Sequence, residues 1–399
     1  MAETIREFRP RERRGGNALK PFPLPEILQK MLDRGKAEMA KPMTGITTNG
    51  EPIQGLFPIK KTGISLQPVV EAAQLFLKTL TPEQRSTASF DLDTGPWQAW
   101  HNMHVFMIRH GLLMNEMSEM QRDATLGLLR ASMSAAGFEV ARDVMRLNEH
   151  ICEVTNRPGE YGEWFYWMSI MGTPSTTEPW GWQIDGHHLI INCFVMGDQI
   201  VLTPNFMGSE PVEAKFGKYK GVRVFAKEEA DGYALMSGFT ADQQAQATIG
   251  KKLPFDVFGT AFNDNTVIPD QGLHYNDMTP EQREKLLQLV AVYTNRIRPG
   301  HADVRFDEVK QHLDKTRFAW IGEVNDLDPF YYRIFNPVIL IEFDHQIGIA
   351  YDNDDPTRNH IHTLVRTPNG NDYGKDLLRQ HYLQFDHADP RSPHRRGKI

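Results

Sequence analysis

Two histidines one residue apart, in N-H-I-H-T-L-V-R from Asn359 to Arg366, are the residues whose type and spacing most directly suggest chemistry. On a strand, residues i and i+2 share a face. His360 and His362 therefore project two imidazoles side by side, a common way to offer two ligands to one metal ion. A second pair, His187 and His188, stands in W-G-W-Q-I-D-G-H-H-L-I-I-N, Trp180 to Asn192, which otherwise reads as a buried strand. Adjacent strand residues face opposite ways, so one of His187 and His188 is expected to ligate and the other to be a hydrogen-bonded core histidine. A bulge at Gly186 would re-aim them. Carboxylates accompany both pairs. Asp185 precedes the first, and Glu342 and Asp344 share a face of the apolar run Y-Y-R-I-F-N-P-V-I-L-I-E-F-D-H, Tyr331 to His345. Glu342 is the first choice as carboxylate ligand or general base, with Asp185 and Asp344 next. Histidines with a carboxylate suit zinc in a hydrolytic site or iron with open coordination positions, so a divalent metal, zinc or iron, is the expected cofactor.

The substrate side is read from arginines and aromatics. Arg333 and Arg366 could grip a carboxylate bidentately or pair internally with Glu342 and Asp344. Trp180, Trp182 and Tyr332, with Trp320 and Tyr331, could wall an apolar pocket, although strand aromatics more often fill the core. His101, His104 and His110 fall in a helix-like run from Trp100 and are assigned packing and surface roles. His381 ranks below the two pairs, and Asp372 reads as the N-cap of a final helix. Cys193, in an apolar strand, is expected to be an inert thiol, and a G-x-S-x-G serine motif is absent.

The elements that must position these residues are announced by four capping boxes: Thr81/Gln84, Ser118/Gln121, Thr240/Gln243 and Thr279/Gln282. Apolar residues follow at helical spacing, with Val69, Ala73, Phe76 and Leu80 on one face and Leu286, Val290, Tyr293 and Ile297 on another. The boxes recur at an offset of roughly 160 residues, and G-L-L-M-N-E-M-S-E-M-Q-R from Gly111 answers G-L-H-Y-N-D-M-T-P-E-Q-R from Gly272. Asp185 and Asp344 share the offset, and T-P-N-F-M-G at Thr203 is matched to T-P-N-G-N at Thr367 after an acidic insertion from Asp352. The expected fold is α+β, a tandem duplication of a helices-then-strands unit of roughly 160 residues packed as one pseudo-twofold body. It divides into an extension (1–64), a first repeat (65–222), a second repeat (223–386) and a tail (387–399). Gly197-Asp198 reads as a hairpin turn.

Bulk composition narrows the function. The chain has 399 residues, 40% hydrophobic and 24% charged, with net charge −7, against a nucleic-acid-binding role. The arginines from Arg9 to Arg14 and the basic C-terminal end read as solvated tails. Two cysteines imply no disulfide framework, and with no signal peptide or spanning run the expected location is cytoplasmic. No nucleotide-binding glycine loop is present. The expected partner is a small-molecule substrate, with neither nucleic acid nor membrane, and a homo-oligomer stays open.

The motifs W-G-W-Q-I-D-G-H-H-L, T-P-N-F-M-G-S-E-P, F-A-W-I-G, Y-Y-R-I-F-N-P-V-I-L-I-E-F-D, H-I-H-T-L-V-R and N-D-Y-G-K-D-L-L together resemble the family catalogued as domain of unknown function 3500. The likeness runs from about Leu66 to His381. M-G-S-E-P departs from an expected G-A-E-P. The resemblance implies that the motifs belong together and implies no reaction. From the residues, the expected function is a metal-dependent enzyme acting on a small polar or carboxylate-bearing molecule, hydrolytic first, with an iron oxygenase and a non-catalytic ligand-binding protein as alternatives.

Overall fold

All four capping boxes form, each with both reciprocal hydrogen bonds, in a computed structural model that describes residues 8–11, 17–20 and 23–385. The basic C-terminal end and Arg13 and Arg14 lie outside the described residues. The first half comprises α1 (Glu26–Met39), α2 (Gln67–Thr79), α3 (Pro82–Ala88), β1 (Ser89–Phe90), β2 (Leu112–Leu113), α4 (Glu119–Ser132) and α5 (Ala135–Thr155). Strands β3 (Tyr166–Met171), β4 (Trp180–Gly186), β5 (Leu189–Met196), β6 (Gln199–Val201) and β7 (Asn205–Ser209) follow. The second half runs α6 (Ala226–Ser237), α7 (Ala241–Ala247), β8 (Thr248–Gly250), β9 (Leu273–His274), α8 (Pro280–Thr294) and α9 (His301–Lys310). It ends with β10 (Arg317–Ile321), β11 (Tyr331–Phe335), β12 (Leu340–Gln346), β13 (Thr357–Arg366) and α10 (Lys375–Gln384).

The strands form one mixed sheet in the order β1-β3-β4-β5-β7-β13-β12-β11-β10-β8. The two halves of the chain meet at its middle, where β7 and β13 pair antiparallel with His362 opposite Gly208. The class is α+β. The expected helix faces are buried, Val69, Ala73, Phe76 and Leu80 on one side and Leu286, Val290, Tyr293 and Ile297 on the other. Gly197 makes the β5–β6 hairpin turn with φ +60°.

Three expectations fail here, each for a local reason. Asp185 and Asp344 do not hold matching places: Asp185 is on the second strand of the β3–β4–β5 meander and Asp344 on the third strand of β10–β11–β12. The helices that precede the two meanders also differ, α5 having 21 residues and α9 only 10. The two T-P-N phrases are likewise not equivalent, since Asn205 opens β7 whereas Asn369 follows β13. They meet across the seam instead, Thr203 Oγ1 and Thr367 Oγ1 lying 2.7 Å apart. The run from Trp100 to His110 is an irregular loop, not a helix.

Helices cover one face of the sheet. Trp182 donates to Ser132 Oγ at the end of α4 (3.2 Å), and the Tyr332 hydroxyl donates to the Glu228 carbonyl of α6 (3.0 Å) and meets the Tyr293 hydroxyl of α8 (2.6 Å). Strand alternation turns Asp185, Glu342, Asp344, His360 and His362 to the other face. That face carries the long loops joining β1 to β2 and β8 to β9.

Candidate metal centre

Gly186 pairs with Leu189, which leaves His187 and His188 as the two-residue turn of the β4–β5 hairpin. The expectation that they face opposite ways is therefore corrected, because strand alternation ends at Gly186. His188 takes φ +61°, a conformation uncommon for residues other than glycine. The two rings stack on one side at 3.9 Å between centroids. The turn is tied down on both flanks: the His188 amide donates to Asn102 O (3.1 Å), and the Gly208 amide donates to His188 O (2.8 Å).

This turn brings the ring of His188 to those of His360 and His362 on β13. The Nε2 of His360 lies 3.1 Å from that of His188 and 3.1 Å from that of His362. All three residues are buried, and their ligand atoms lie within 4.8 Å of one another, so the group could hold a metal ion. Gly208, opposite His362, makes room for it. A Cβ there would stand 2.8 Å from the His362 ring and 3.2 Å from the His188 ring.

The hydrogen bonds behind the rings decide what the cluster can do. His360 Nδ1 has the Ile347 carbonyl at 2.6 Å and His362 Nδ1 has Asp256 Oδ1 at 2.8 Å, so both Nδ1 atoms carry protons and donate. Their Nε2 atoms then present bare lone pairs to one another. A hydrogen bond between them would need an imidazolium, and burial holds His360 down at about 3 and His188 well below the usual imidazole range, with the other ring charges adding to this. Lone pairs facing each other at a buried cluster are the donor set a cation fits.

His187 is not part of the cluster. Asn148 spends its amide on Gly162 O (2.8 Å) and offers Oδ1 to His187 Nδ1 at 2.7 Å, which leaves His187 Nε2 as an acceptor. A cavity of about 800 Å³ adjoins the triad, lined by His101, His104, His187, Asp256, apolar residues of the β8–β9 loop and α1. His101 and His104, assigned to packing and surface roles from sequence, are buried in this wall.

The expected carboxylates stand elsewhere, and none lines the cavity among the described residues. Glu342 accepts from the Phe258 amide (2.7 Å), the Tyr331 hydroxyl (2.7 Å) and the Gly259 amide (2.8 Å). It therefore fastens the loop that bears Asp256; of the partners expected for it, Arg333 stands opposite on β11 and its charge acts on Glu342 without a close ion pair, and Arg366 bonds elsewhere. Asp344 lies opposite His362 in the β12–β13 register. Its Oδ2 receives Gln346 Nε2 while its Oδ1 is buried without a partner. Burial, with Asp256 and Glu342 nearby, pushes it well above the carboxylate range. Asp185 is likewise buried and pushed well up, with Oδ1 unpartnered. Asp256, missed in the sequence, is the carboxylate at the site. Burial would raise it, but the facing His362 and its N–H more than offset this and hold it below the ordinary value.

The expected substrate-binding residues are structural in their contacts. Trp180, Trp182 and Tyr332 pack on the helix side. Arg333 is buried with Nη2 near Pro269 O. Arg366 donates to Asp372 Oδ2 (2.7 Å), Gly259 O (2.7 Å) and Asp264 Oδ1. Asp372 is thus a partner of Arg366 and not a helix N-cap, and His381 lies beside Glu178, away from the triad. Both cysteines are free, and burial raises the Cys193 thiol.

One pH effect follows from the cavity wall. Burial holds His101 down at about 4 despite the nearby Asp256 charge. The unfolded chain takes up this proton near pH 6.5 while the folded chain refuses it, so the stability His101 contributes is present above 6.5 and lost toward 4. In a His101→Phe variant, the slope of unfolding free energy against pH across that window should shrink by up to about 1.4 kcal/mol per pH unit. Urea melts at a series of pH values would show it; parallel slopes would contradict it.

No helix among the described residues is long and apolar enough to cross a membrane. Neither the curated proteins nor the solved structures contain a match. A family model does match, across residues 62–375, taking in all three histidines of the triad and the strands that carry them. The chain belongs to the family described as Protein of unknown function (DUF3500).

Proposed function

We propose that the chain is a metal-dependent hydrolase that binds one divalent ion at His188, His360 and His362 and acts on a small molecule in the adjoining cavity. The observation that carries this reading is the convergence of three buried imidazoles on one point, two of them, His360 and His362, with Nδ1 donating and Nε2 left bare. When bound, the ion would polarise a substrate carbonyl or lower the pKa of a bound water. Asp256 and the Ile347 carbonyl hold two rings in their ligating tautomer, as partners behind metal-bound histidines do. His187 Nε2, held as an acceptor beside the triad, would accept a hydrogen bond from a water there and so help orient it.

Zinc is favoured over iron because the cluster is all histidine. A two-histidine, one-carboxylate set would need a free carboxylate at the triad: Asp185, Glu342 and Asp344 do not line the cavity, and Asp256, which does, is engaged by His362 Nδ1, Thr260 and Val257. We also propose that the site lies at the junction of a tandem duplication. In its support, the strand order reads alike from both edges of the sheet. Gln121 Nε2 bonds Gln84 Oε1 and the Thr79 carbonyl just as Gln282 Nε2 bonds Gln243 Oε1 and the Gly238 carbonyl. A cytoplasmic location stays part of this reading.

Elemental analysis of the untagged protein, alongside hydrolysis of a panel of nitrophenyl esters before and after chelation, tests the function. About one zinc per chain is expected, with hydrolysis abolished by the chelator and restored by zinc. Iron with oxygen consumption would replace hydrolysis by oxygenase chemistry. Protein that takes up no metal even on anaerobic reconstitution would leave a ligand-binding protein.

A further inference from the structure

Helix α1 (Glu26–Met39) lies outside the residues matched to the family (62–375), yet Ile27, Lys30, Met31, Arg34 and Gly35 line the triad cavity. This chain therefore adds a wall to the cavity from its own N-terminal segment. The helix is seated at one point. Gly35 is its only buried residue, and a Cβ there would stand 2.7 Å from the Phe262 ring, so the helix can approach that ring only as glycine. Phe262 itself takes φ +66°, presenting its ring to the helix from a conformation rare for a bulky residue.

The chemistry of the wall indicates what it faces. The cavity, about 800 Å³, falls within the range of sites for drug-sized ligands. Much of its lining is apolar, from Met31 and Met103 to the β8–β9 loop, and Ile27 (75% exposed) and Phe255 (76% exposed) leave apolar surface in solvent beside it. Its charges are uneven. The sole lining carboxylate among the described residues, Asp256, is occupied by His362 Nδ1, the Thr260 hydroxyl and the Val257 amide. Arg34 makes no ion pair or hydrogen bond among the described residues. Lys30 pairs with Glu26 at 2.6 Å, but both side chains are largely exposed, a pairing worth little in water. One guanidinium and one ammonium charge thus stand at a mainly apolar cavity that, among the described residues, offers no free carboxylate in its lining to balance them.

We infer that α1 makes this cavity selective for an amphipathic anion: a mostly apolar molecule whose carboxylate, or a similar negative group, is held by Lys30 and Arg34 while its apolar body fills the cavity. The inference rests on reading the triad cavity as the substrate site. It assigns substrate selectivity to a helix that the family region does not contain.

Fluorescent probes of matched shape test it: anilinonaphthalene sulfonate, which is anionic, and neutral phenylnaphthylamine. Both are titrated into the full-length protein and into Lys30→Glu/Arg34→Glu and Gly35→Val variants, with zinc content and melting temperature measured in each sample. Charge reversal is expected to weaken the sulfonate about tenfold, equivalent to about 1.4 kcal/mol, and to leave the neutral probe within about twofold. Gly35→Val, by driving a side chain into Phe262, should abolish the preference for the anion with no change in melting temperature. Equal changes for both probes, or none, would overturn the inference. If the preference holds in protein that binds no zinc, this inference stands and the metalloenzyme reading falls. Stoichiometric zinc without the preference gives the reverse.

Discussion

A His360→Ala/His362→Ala variant is expected to fold and to purify without stoichiometric metal. His188 alone then remains of the three Nε2 donors, and one imidazole does not retain a divalent ion through purification. Losing both rings takes one hydrogen-bond partner from the buried Asp256 and leaves it the Thr260 hydroxyl and the Val257 amide, so the melting temperature measured in the presence of a chelator should fall modestly with the variant still folded. Asp256→Asn should behave differently in degree. It keeps the shape and all three ligands but removes the carboxylate behind His362, and a change of this kind typically lowers metal affinity about 10–100-fold. Competition with a zinc-sensitive dye would rank the parent first, Asp256→Asn second and the double variant last. If Asp256→Asn matched the parent while the double variant still bound metal, the ion would lie somewhere other than the triad.

Arg366→Leu is expected to cost about 3–5 kcal/mol of folding stability, the usual result of breaking a buried ion pair from one side. The guanidinium is fully buried and satisfies Asp372, Asp264 and the Gly259 carbonyl at once. Its loss would strand two carboxylates. Burial already raises Asp372 even with Arg366 beside it, so without the arginine that carboxyl should take up a proton. The deficit should therefore be smaller at low pH and grow as the pH rises through the carboxyl's elevated pKa. Denaturant melts at pH 5 and pH 8 would display this trend. A substrate-binding arginine would instead leave stability intact and alter affinity alone, so this variant separates the two roles that the sequence left open for Arg366.

Local rules carried the sequence reading well, and long-range placement limited it. The four capping boxes depend on residues three apart, and all form as read. The i, i+2 spacing put His360 and His362 side by side, and their Nε2 atoms meet even though the β12–β13 register slips between Thr357 and Ile361. His187 and His188 were misjudged because their geometry belongs to a turn. G-H-H between two apolar runs is a short hairpin loop, and the glycine is its visible sign; reading it as a possible bulge kept the alternation rule in force where it no longer applied. Asp256 was missed because nothing in D-V-F-G-T marks it. It reaches His362 only when Glu342 fastens the loop to the sheet, a contact between residues far apart in the chain. The same contact explains why Glu342, the most chemically conspicuous carboxylate in the sequence, is spoken for. The recurring spacing was matched by the capping boxes of the helices and misled at the strands, where Asp185 and Asp344 fall on different strands of their meanders.

The seam between β7 and β13 gives the triad a mechanical meaning. One ligand comes from the β4–β5 turn and two from β13, so a bound ion would cross-link the two halves of the chain at their shared boundary. Its affinity would then count toward holding those halves together, adding about 2.7 kcal/mol when free metal stands 100-fold above its dissociation constant. Resistance to unfolding in this chain would then rise and fall with metal supply, and the melting temperature would serve as a gauge of the surrounding ion.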